Sequence, residues 1–166
     1  MTRLFSLGAL AVISALVLAA CGGSSYGGNS SPTTSTKASA PATTSSTASV
    51  VSAKSSSLGT FLVDAKGQTL YLWDADHGAM STCNGECATD WPPLTTKSAP
   101  KAGAGVKASL LGTSKRADGT QEVTYAGHPL YTFAGDTGPG QTTGQGSGAF
   151  GATWWVVTPA GKAIQN

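Results

Sequence analysis

Residues 64–76 read DAKGQTLYLWDAD, and residues 124–136 read TYAGHPLYTFAGD. The second stretch repeats the first 60 positions later, with the same Gly, Leu, Tyr and Asp in register and a Phe in place of a Trp. In each copy, strand-forming residues lie on both sides of a short turn that contains Gly, which is typical of a β-hairpin. The duplication therefore predicts a domain built from two hairpin repeats.

Short strands and Gly-rich turns continue around these hairpins, and this pattern favours an all-β fold, a small sandwich or a barrel-like domain. Within a strand, Tyr71 and Trp73 should project from one face of the sheet and Leu70 and Leu72 from the other. We predict repeats at about 59–95 and 108–161. The predicted elements are hairpins of 61–63 with 69–73 and of 123–125 with 130–133, strands at 108–111 and 154–157, and a helical turn or two at 85–90.

The N-terminus is typical of an export signal. Arg3 is followed by an uncharged apolar run at residues 4–20, which is shorter than the roughly 20 residues of a membrane span. The run ends in Leu18-Ala19-Ala20-Cys21, which resembles the lipobox of bacterial lipoproteins. The resemblance implies that residues 1–20 are a signal peptide, and that Cys21 carries a diacylglycerol and an acyl chain such as palmitate.

A tether is predicted between this anchor and the domain. Of residues 22–57, 19 are Ser or Thr, and no acidic residue occurs among them. Such a segment buries too little apolar surface to offset the entropy of ordering it. We therefore predict a lipidated Cys and disordered tether at residues 21–57, and a folded domain at residues 58–166.

The charge of the chain excludes one class of partner. Only 11% of the residues are charged, and the formal net charge is +2. All eight acidic residues lie after position 57, where they face six Lys and one Arg. The folded part has no basic patch of the kind that nucleic-acid binding requires, so no nucleic-acid partner is expected.

Several motifs together resemble a family of bacterial secreted repeat lipoproteins of unknown function. Each copy has Tyr, any residue, an aromatic residue, two further residues and then Asp, and a Cys-x3-Cys-x3-Trp-Pro-Pro run follows the first copy at residues 83–93. The motif residues are Tyr71, Trp73, Asp76, Tyr131, Phe133 and Asp136. The resemblance covers about residues 59–161 and implies an envelope protein without an assigned activity.

The Tyr and Asp residues of the motif have two interpretations. They form either ligand-binding or acid–base pairs, Tyr71 with Asp76 and Tyr131 with Asp136, or a structural arrangement in which each Asp accepts bonds from turn amides and from the Tyr hydroxyl. The structural interpretation is favoured, because a buried Tyr needs a partner for its hydroxyl and because one active site needs only one set of groups. Trp91 and the pair Trp154-Trp155 are expected to anchor the core, with an exposed sugar- or partner-binding ring as the alternative.

Cys83 and Cys87 are expected to form a disulfide. Export supplies an oxidising location, and residues four apart in a helical turn have Cα atoms roughly 6 Å apart, within the usual range for the bond. The alternative is an extracytoplasmic copper or redox site, in which Cys83, Cys87 and His77 hold Cu(I). Compared with Cys-x3-Cys copper carriers, however, the chain has Ala88 where those proteins have Pro.

No hydrolase, metalloprotease or phosphate-loop motif occurs in the sequence. His77 and His128 lie in predicted turns without a fixed relation to a nucleophile. We therefore expect no enzyme and no cofactor, but a non-catalytic binding or structural module. The expected partners are a bacterial membrane, contacted through the lipid on the extracytoplasmic side, and an unidentified cell-wall or envelope component.

Overall fold

The structure, a computed structural model, describes residues 48–165 and is all-β, as predicted from the repeats. The predicted signal peptide, Cys21 and most of the predicted tether lie outside the described residues. The strands, in chain order, are β1 (Val50–Ser56), β2 (Gly59–Asp64), β3 (Tyr71–Trp73), β4 (Lys101–Ala102), β5 (Leu111–Lys115), β6 (Gln121–Tyr125), β7 (His128–Pro129) and β8 (Trp154–Val156). One short helix, α1 (Glu86–Asp90), lies where helical turns were predicted, and 3₁₀ turns occupy Ala108–Leu110 and Ala149–Gly151.

The strands form three small sheets, in the orders β2-β1-β4, β3-β8 and β5-β6-β7. Only the short β1–β4 pairing is parallel. Pro129 lies on the edge strand of its sheet, as expected for a residue that has no backbone N–H to donate. No helix within residues 48–165 has the length and apolar character that are needed to cross a bilayer.

The folded part begins earlier than predicted. β1 occupies Val50–Ser56, a segment that was assigned to the tether, and it pairs with β2 from Val51–Asp64 to Ser56–Gly59. Val51 is fully buried, whereas the Ser and Lys residues towards the end of β1 are exposed. The Ser-rich composition of this segment therefore did not indicate a strand, because the strand contacts the core only near its start.

Two further expectations are corrected. Residues 108–110 form a 3₁₀ turn and not the predicted strand. The strand in this region, β5, begins at Leu111. In the first repeat, only Thr69 bridges back to Val63 of β2, because residues 71–73 leave the predicted hairpin and pair with β8 of the second repeat.

The two repeats exchange their last segments. Val157, which follows β8, accepts the backbone N–H of Leu62 and donates its own N–H to the carbonyl oxygen of Leu70, both in the first repeat. Correspondingly, Leu94 accepts the backbone N–H of Val123 and donates its own N–H to the carbonyl oxygen of Leu130, both in the second repeat. Each half of the domain is therefore completed by the other repeat.

Strand β3 separates two buried clusters. Tyr71 and Trp73 pack in one cluster, with Phe61, Trp91, Tyr131 and Trp154. Leu70 and Leu72 pack in the other, with Val51, Leu62, Val123, Tyr125, Leu130 and Val157. The predicted division of faces is confirmed, and both faces of this central strand are covered.

Candidate functional site

The two motif tyrosines meet at the centre of the domain. The backbone N–H of Tyr71 donates to the carbonyl oxygen of Tyr131 at 2.8 Å, and the N–H of Tyr131 donates to the carbonyl of Tyr71 at 3.0 Å. Both side chains are fully buried. Each tyrosine donates to the other the same bond that it accepts, which is the pattern of contacts at a two-fold axis. The two repeats are therefore related by a local two-fold axis that passes through this pair.

The tyrosine hydroxyls cross between the repeats. Tyr71 Oη donates to Asp136 Oδ2 at 2.6 Å, and Tyr131 Oη donates to Asp76 Oδ2 at 2.5 Å. The pairing expected within each copy, of Tyr71 with Asp76 and of Tyr131 with Asp136, is wrong, because the structure places each hydroxyl against the carboxylate of the other copy. The motif thus joins the two repeats instead of closing a turn within one.

Each carboxylate is also bound by its own loop. Asp76 Oδ1 accepts the backbone N–H of Thr82 at 2.7 Å and its hydroxyl at 2.8 Å. Asp136 Oδ1 accepts the N–H of Thr143 at 2.9 Å and its hydroxyl at 2.6 Å. These are the turn contacts that the structural interpretation expected. Both aspartates are at least 95% buried, so their acceptor oxygens are committed within the protein.

The electrostatics keep both phenols protonated. Burial raises the pKa of Tyr71 well above its usual range, and the hydrogen bond to Asp136 raises it further. Burial likewise raises the pKa of Tyr131, followed by the charge of Glu122 and the hydrogen bond to Asp76. A protonated phenol is the donor that a buried carboxylate needs, so both crossed bonds persist over the physiological pH range.

A stack of four aromatic rings crosses the same axis. Trp91 and Trp154 lie at the centre with ring centroids 3.9 Å apart, and the outer rings are Trp73 on Trp154 at 5.0 Å and Phe133 on Trp91 at 4.3 Å. Trp91 and Trp154 are therefore core residues, as expected. Trp155 points the other way, is partly exposed, and donates its indole N–H to Asp74 at 2.8 Å.

Cys83 and Cys87 form the predicted disulfide, with Cα atoms 5.3 Å apart. The bond joins the segment before α1 to the first turn of that helix, and both cysteines are buried. His77 is exposed, and His128 is half-buried. Within residues 48–165, no three His, Cys, Asp or Glu side chains come together as a group able to hold a metal ion, so the structure does not assemble the alternative copper set.

A second polar cluster was not predicted. Arg116 is 5% exposed and Glu122 is fully buried, and Arg116 Nη1 donates to Glu122 Oε2 at 2.8 Å. Ser81 links this pair to the crossed bonds, because its hydroxyl lies 2.6 Å from both Arg116 Nη1 and Tyr131 Oη. Glu122 lies in the strand QEVTY, where a charged residue is ordinarily expected to face solvent, so its burial could not be predicted from this segment alone.

Two adjacent grooves open on the surface. The larger has a volume of about 800 Å³ and lies between the start of β1, the β2–β3 turn, residues 93–97 and the end of the β5–β6 turn. The smaller, of about 470 Å³, extends from it along β5 and shares Thr96, Lys97 and Gln121 with it. Lys66 and Lys97 line the larger groove. Every ion pair found within residues 48–165 involves Arg116, so neither lysine is neutralised by one.

These features define a class of small all-β domains in which two sequence repeats are joined by crossed buried hydrogen bonds. The chain belongs to the family described as a secreted repeat of unknown function, whose model matches residues 52–95 and 112–158. A secreted family is consistent with a domain that lies outside the cytoplasm. The curated proteins yield no match to this chain, and neither do the solved structures.

Proposed function

We propose that the protein is a bacterial lipoprotein of the cell envelope, held on the extracytoplasmic side of a membrane by a lipid on Cys21. Its folded domain serves as a non-catalytic binding or structural module. Membership of a secreted family supports export. The apolar run at residues 4–20, which ends in Leu-Ala-Ala-Cys, supports the lipid anchor.

The crossed tyrosine–aspartate bonds are the observation that carries the non-catalytic role. Each motif carboxylate accepts three hydrogen bonds from within the domain, and each motif hydroxyl donates to a carboxylate. A general acid or base has to reach a substrate, and these groups are buried and already paired. This arrangement supports a rigid scaffold that presents a surface.

The larger groove is the surface that we assign to binding. Lys66 and Lys97 line it and make no ion pair within residues 48–165, and Asp64, its one carboxylate, accepts two backbone N–H groups with Oδ1. Ammonium groups suit a polymer that carries negative charge. We propose an anionic cell-wall polymer as the ligand.

Fractionation of cells tests the anchor. We expect the wild-type protein to sediment with membranes and to incorporate labelled palmitate, and we expect Cys21→Ser to do neither, because no other segment anchors the chain in this proposal. Cys83→Ser/Cys87→Ser is the control, and it should remain in the membrane fraction. A Cys21→Ser protein that stays membrane-bound after normal signal removal would place the anchor elsewhere.

Sedimentation with purified cell walls tests the groove. The soluble Cys21→Ser protein is mixed with the walls at low salt, and Lys66→Ala/Lys97→Ala should reduce the bound fraction several-fold. Lys162→Ala, which removes an exposed lysine outside both grooves, is the matched control. Equal binding by all three proteins, or no binding by the parent protein, would contradict the assignment.

A further inference from the structure

Strand β5 lies at the edge of its sheet, where β6 covers one side of it. The register of the β5–β6 hairpin determines which backbone groups of β5 face β6. The carbonyl oxygen of Leu110 accepts the N–H of Ala126 across the hairpin, so every second residue after Leu110, which includes Gly112 and Ser114, also faces β6. The residues between them direct their backbone groups to the other side.

The outer side of β5 is almost entirely unpaired. Its backbone groups belong to Leu111, Thr113 and Lys115. The N–H of Leu111 closes the preceding 3₁₀ turn by donating to the carbonyl oxygen of Ala108. None of the hydrogen bonds found within residues 48–165 involves the other N–H groups of these three residues or their carbonyl oxygens. The edge therefore presents two donors and three acceptors at the spacing of a β-ladder.

The smaller groove lies beside the start of this edge. Leu111, Gly112 and Thr113 line it together with residues 96–100, and its volume is about 470 Å³. Thr113 is exposed, and the other two residues are half-buried. A chain that pairs with β5 therefore lies next to a cavity that can take its side chains.

Positive charge surrounds the same edge. The segment 97–115 contains no acidic residue and four exposed lysines, which are Lys97, Lys101, Lys107 and Lys115. The first lines the smaller groove, the second and third adjoin residues that line it, and the fourth ends β5. Every ion pair found in the described part of the chain involves Arg116, so these lysines are not neutralised by one.

We propose that β5 binds an extended acidic segment of a partner protein, which adds a strand to the sheet. Main-chain hydrogen bonds to an exposed sheet edge supply affinity in this mode of recognition, and pockets beside the edge select side chains. Only a peptide backbone offers alternating N–H and carbonyl groups that match the free groups of β5. Asp or Glu side chains of the partner complement the four lysines.

A second copy of the chain fits this edge less well. Antiparallel pairing of β5 with itself about Thr113 matches the free backbone groups, but it brings the lysines of two identical segments into one interface. Like charges that meet across paired strands are destabilising, and lysines on an edge strand oppose self-pairing. An acidic strand meets no such repulsion. The site is also distinct from the larger groove, because Lys97 is the one lysine that lines both.

Backbone amide NMR tests the edge. The chain from residue 22 to residue 166, which contains the whole described domain, is titrated with a synthetic hexapeptide of alternating Glu and Val. The amides of Thr113 and Lys115 should shift and exchange more slowly with solvent. Those of Gly112 and Ser114, which already face β6, should exchange as before. A hexapeptide of alternating Lys and Val is the control, and it should change none of them.

Two matched pairs of variants separate backbone from charge. Thr113→Pro removes an N–H that faces away from β6, so it should abolish peptide binding and keep the fold, whereas Thr113→Ala should bind as the parent does. Lys101→Gln/Lys107→Gln should weaken binding several-fold, whereas Lys162→Gln, outside both grooves, should not. If Thr113→Pro does not fold, the pattern of protected amides and the lysine variants decide.

Four results would overturn the proposal. They are unchanged Thr113 and Lys115 amides at saturating peptide, binding that persists in a folded Thr113→Pro protein, an equal response to the Lys–Val peptide, and a dimer of the free chain that already protects these amides. Lysine-dependent binding that leaves the edge amides unprotected, as expected of a polyanion or an anionic membrane, would also contradict it.

Discussion

Gly144 lies where the aromatic stack leaves no room for a side chain. A Cβ atom there would come within 2.6 Å of the Trp91 ring and within 3.2 Å of Phe133. The residue itself is buried. Because glycine has only a hydrogen atom in place of a side chain, the loop of the second repeat can pack directly on the aromatic stack.

We expect Gly144→Ala to destabilise the domain by about 1–3 kcal/mol, because the added methyl group overpacks a core of rigid rings. Urea unfolding measures the change. Gly148→Ala in the same loop is the matched control, because a Cβ atom there meets nothing within 4 Å and should cost much less. Equal losses in the two variants would show that loop flexibility, and not contact with the rings, determines the stability.

The partners of single buried residues could not be predicted from the sequence. Tyr71 and Asp76 are identifiable from the repeat as a buried hydroxyl and an acceptor, but their spacing does not tell which copy supplies the partner. That choice depends on how the two repeats pack together. The burial of Glu122 could be recognised only by aligning β6 with β2, and this alignment is displaced by one residue from the 60-residue spacing of the motif, because five residues separate Val63 from Thr69 and four separate Thr124 from Pro129.

Helix α1 is the smallest regular element, and the disulfide stabilises it. It spans only five residues, has no side-chain N-cap, and begins directly after Gly85 in a left-handed conformation. Isolated helices of this length are unstable in water. The Cys83–Cys87 bond and the burial of Cys87 therefore stabilise a helix that is too short to be stable by itself.

We expect Cys83→Ala/Cys87→Ala to lower the free energy of unfolding by about 1–3 kcal/mol, because the closed loop is short and the entropic gain from closing it is small. Thermal unfolding with and without a reductant measures the effect, and the reductant should not affect the variant. The metal content of the purified protein should be unchanged. Tight one-to-one Cu(I) binding by the reduced wild type, which disappears in this variant and in His77→Ala, would instead favour metal handling.

Elements were predictable where local chemistry determines them. The turns around Gly67 and Gly127, which both have positive φ, the helical turn at α1, and β8 were all foreseen. The strand β1 was missed because its residues are mostly Ser and Lys, and its order depends on pairing with β2 and β4, which are distinct elements that the composition of the segment does not indicate. The partner of β3 was missed because it lies more than 80 residues away in the chain.

At the scale of the whole molecule, the two repeats depend on each other. β3 pairs with β8, Leu94 completes the second repeat, and Val157 completes the first. The stacked rings also alternate between the repeats. Half of the domain would expose these surfaces and lose its central pairings, so the domain is expected to fold as one cooperative unit.

We expect residues 48–106 and 107–165, produced separately, to be unfolded. Each fragment should show no near-ultraviolet circular dichroism from ordered Trp and no cooperative melting. An equimolar mixture should recover both signals if the fragments associate as they do in the intact chain. A fragment that melts cooperatively by itself would show that one repeat is an independent domain.

The crossed bonds between the repeats are the central claim, and double-mutant cycles measured by urea unfolding test them most directly. Tyr71→Phe combined with Asp136→Asn should show a coupling energy of about 1–2 kcal/mol, as should Tyr131→Phe combined with Asp76→Asn. Tyr71→Phe combined with Asp76→Asn, the pair within one copy, should be additive to within about 0.5 kcal/mol. Strong coupling within a copy, together with additivity between copies, would contradict the account.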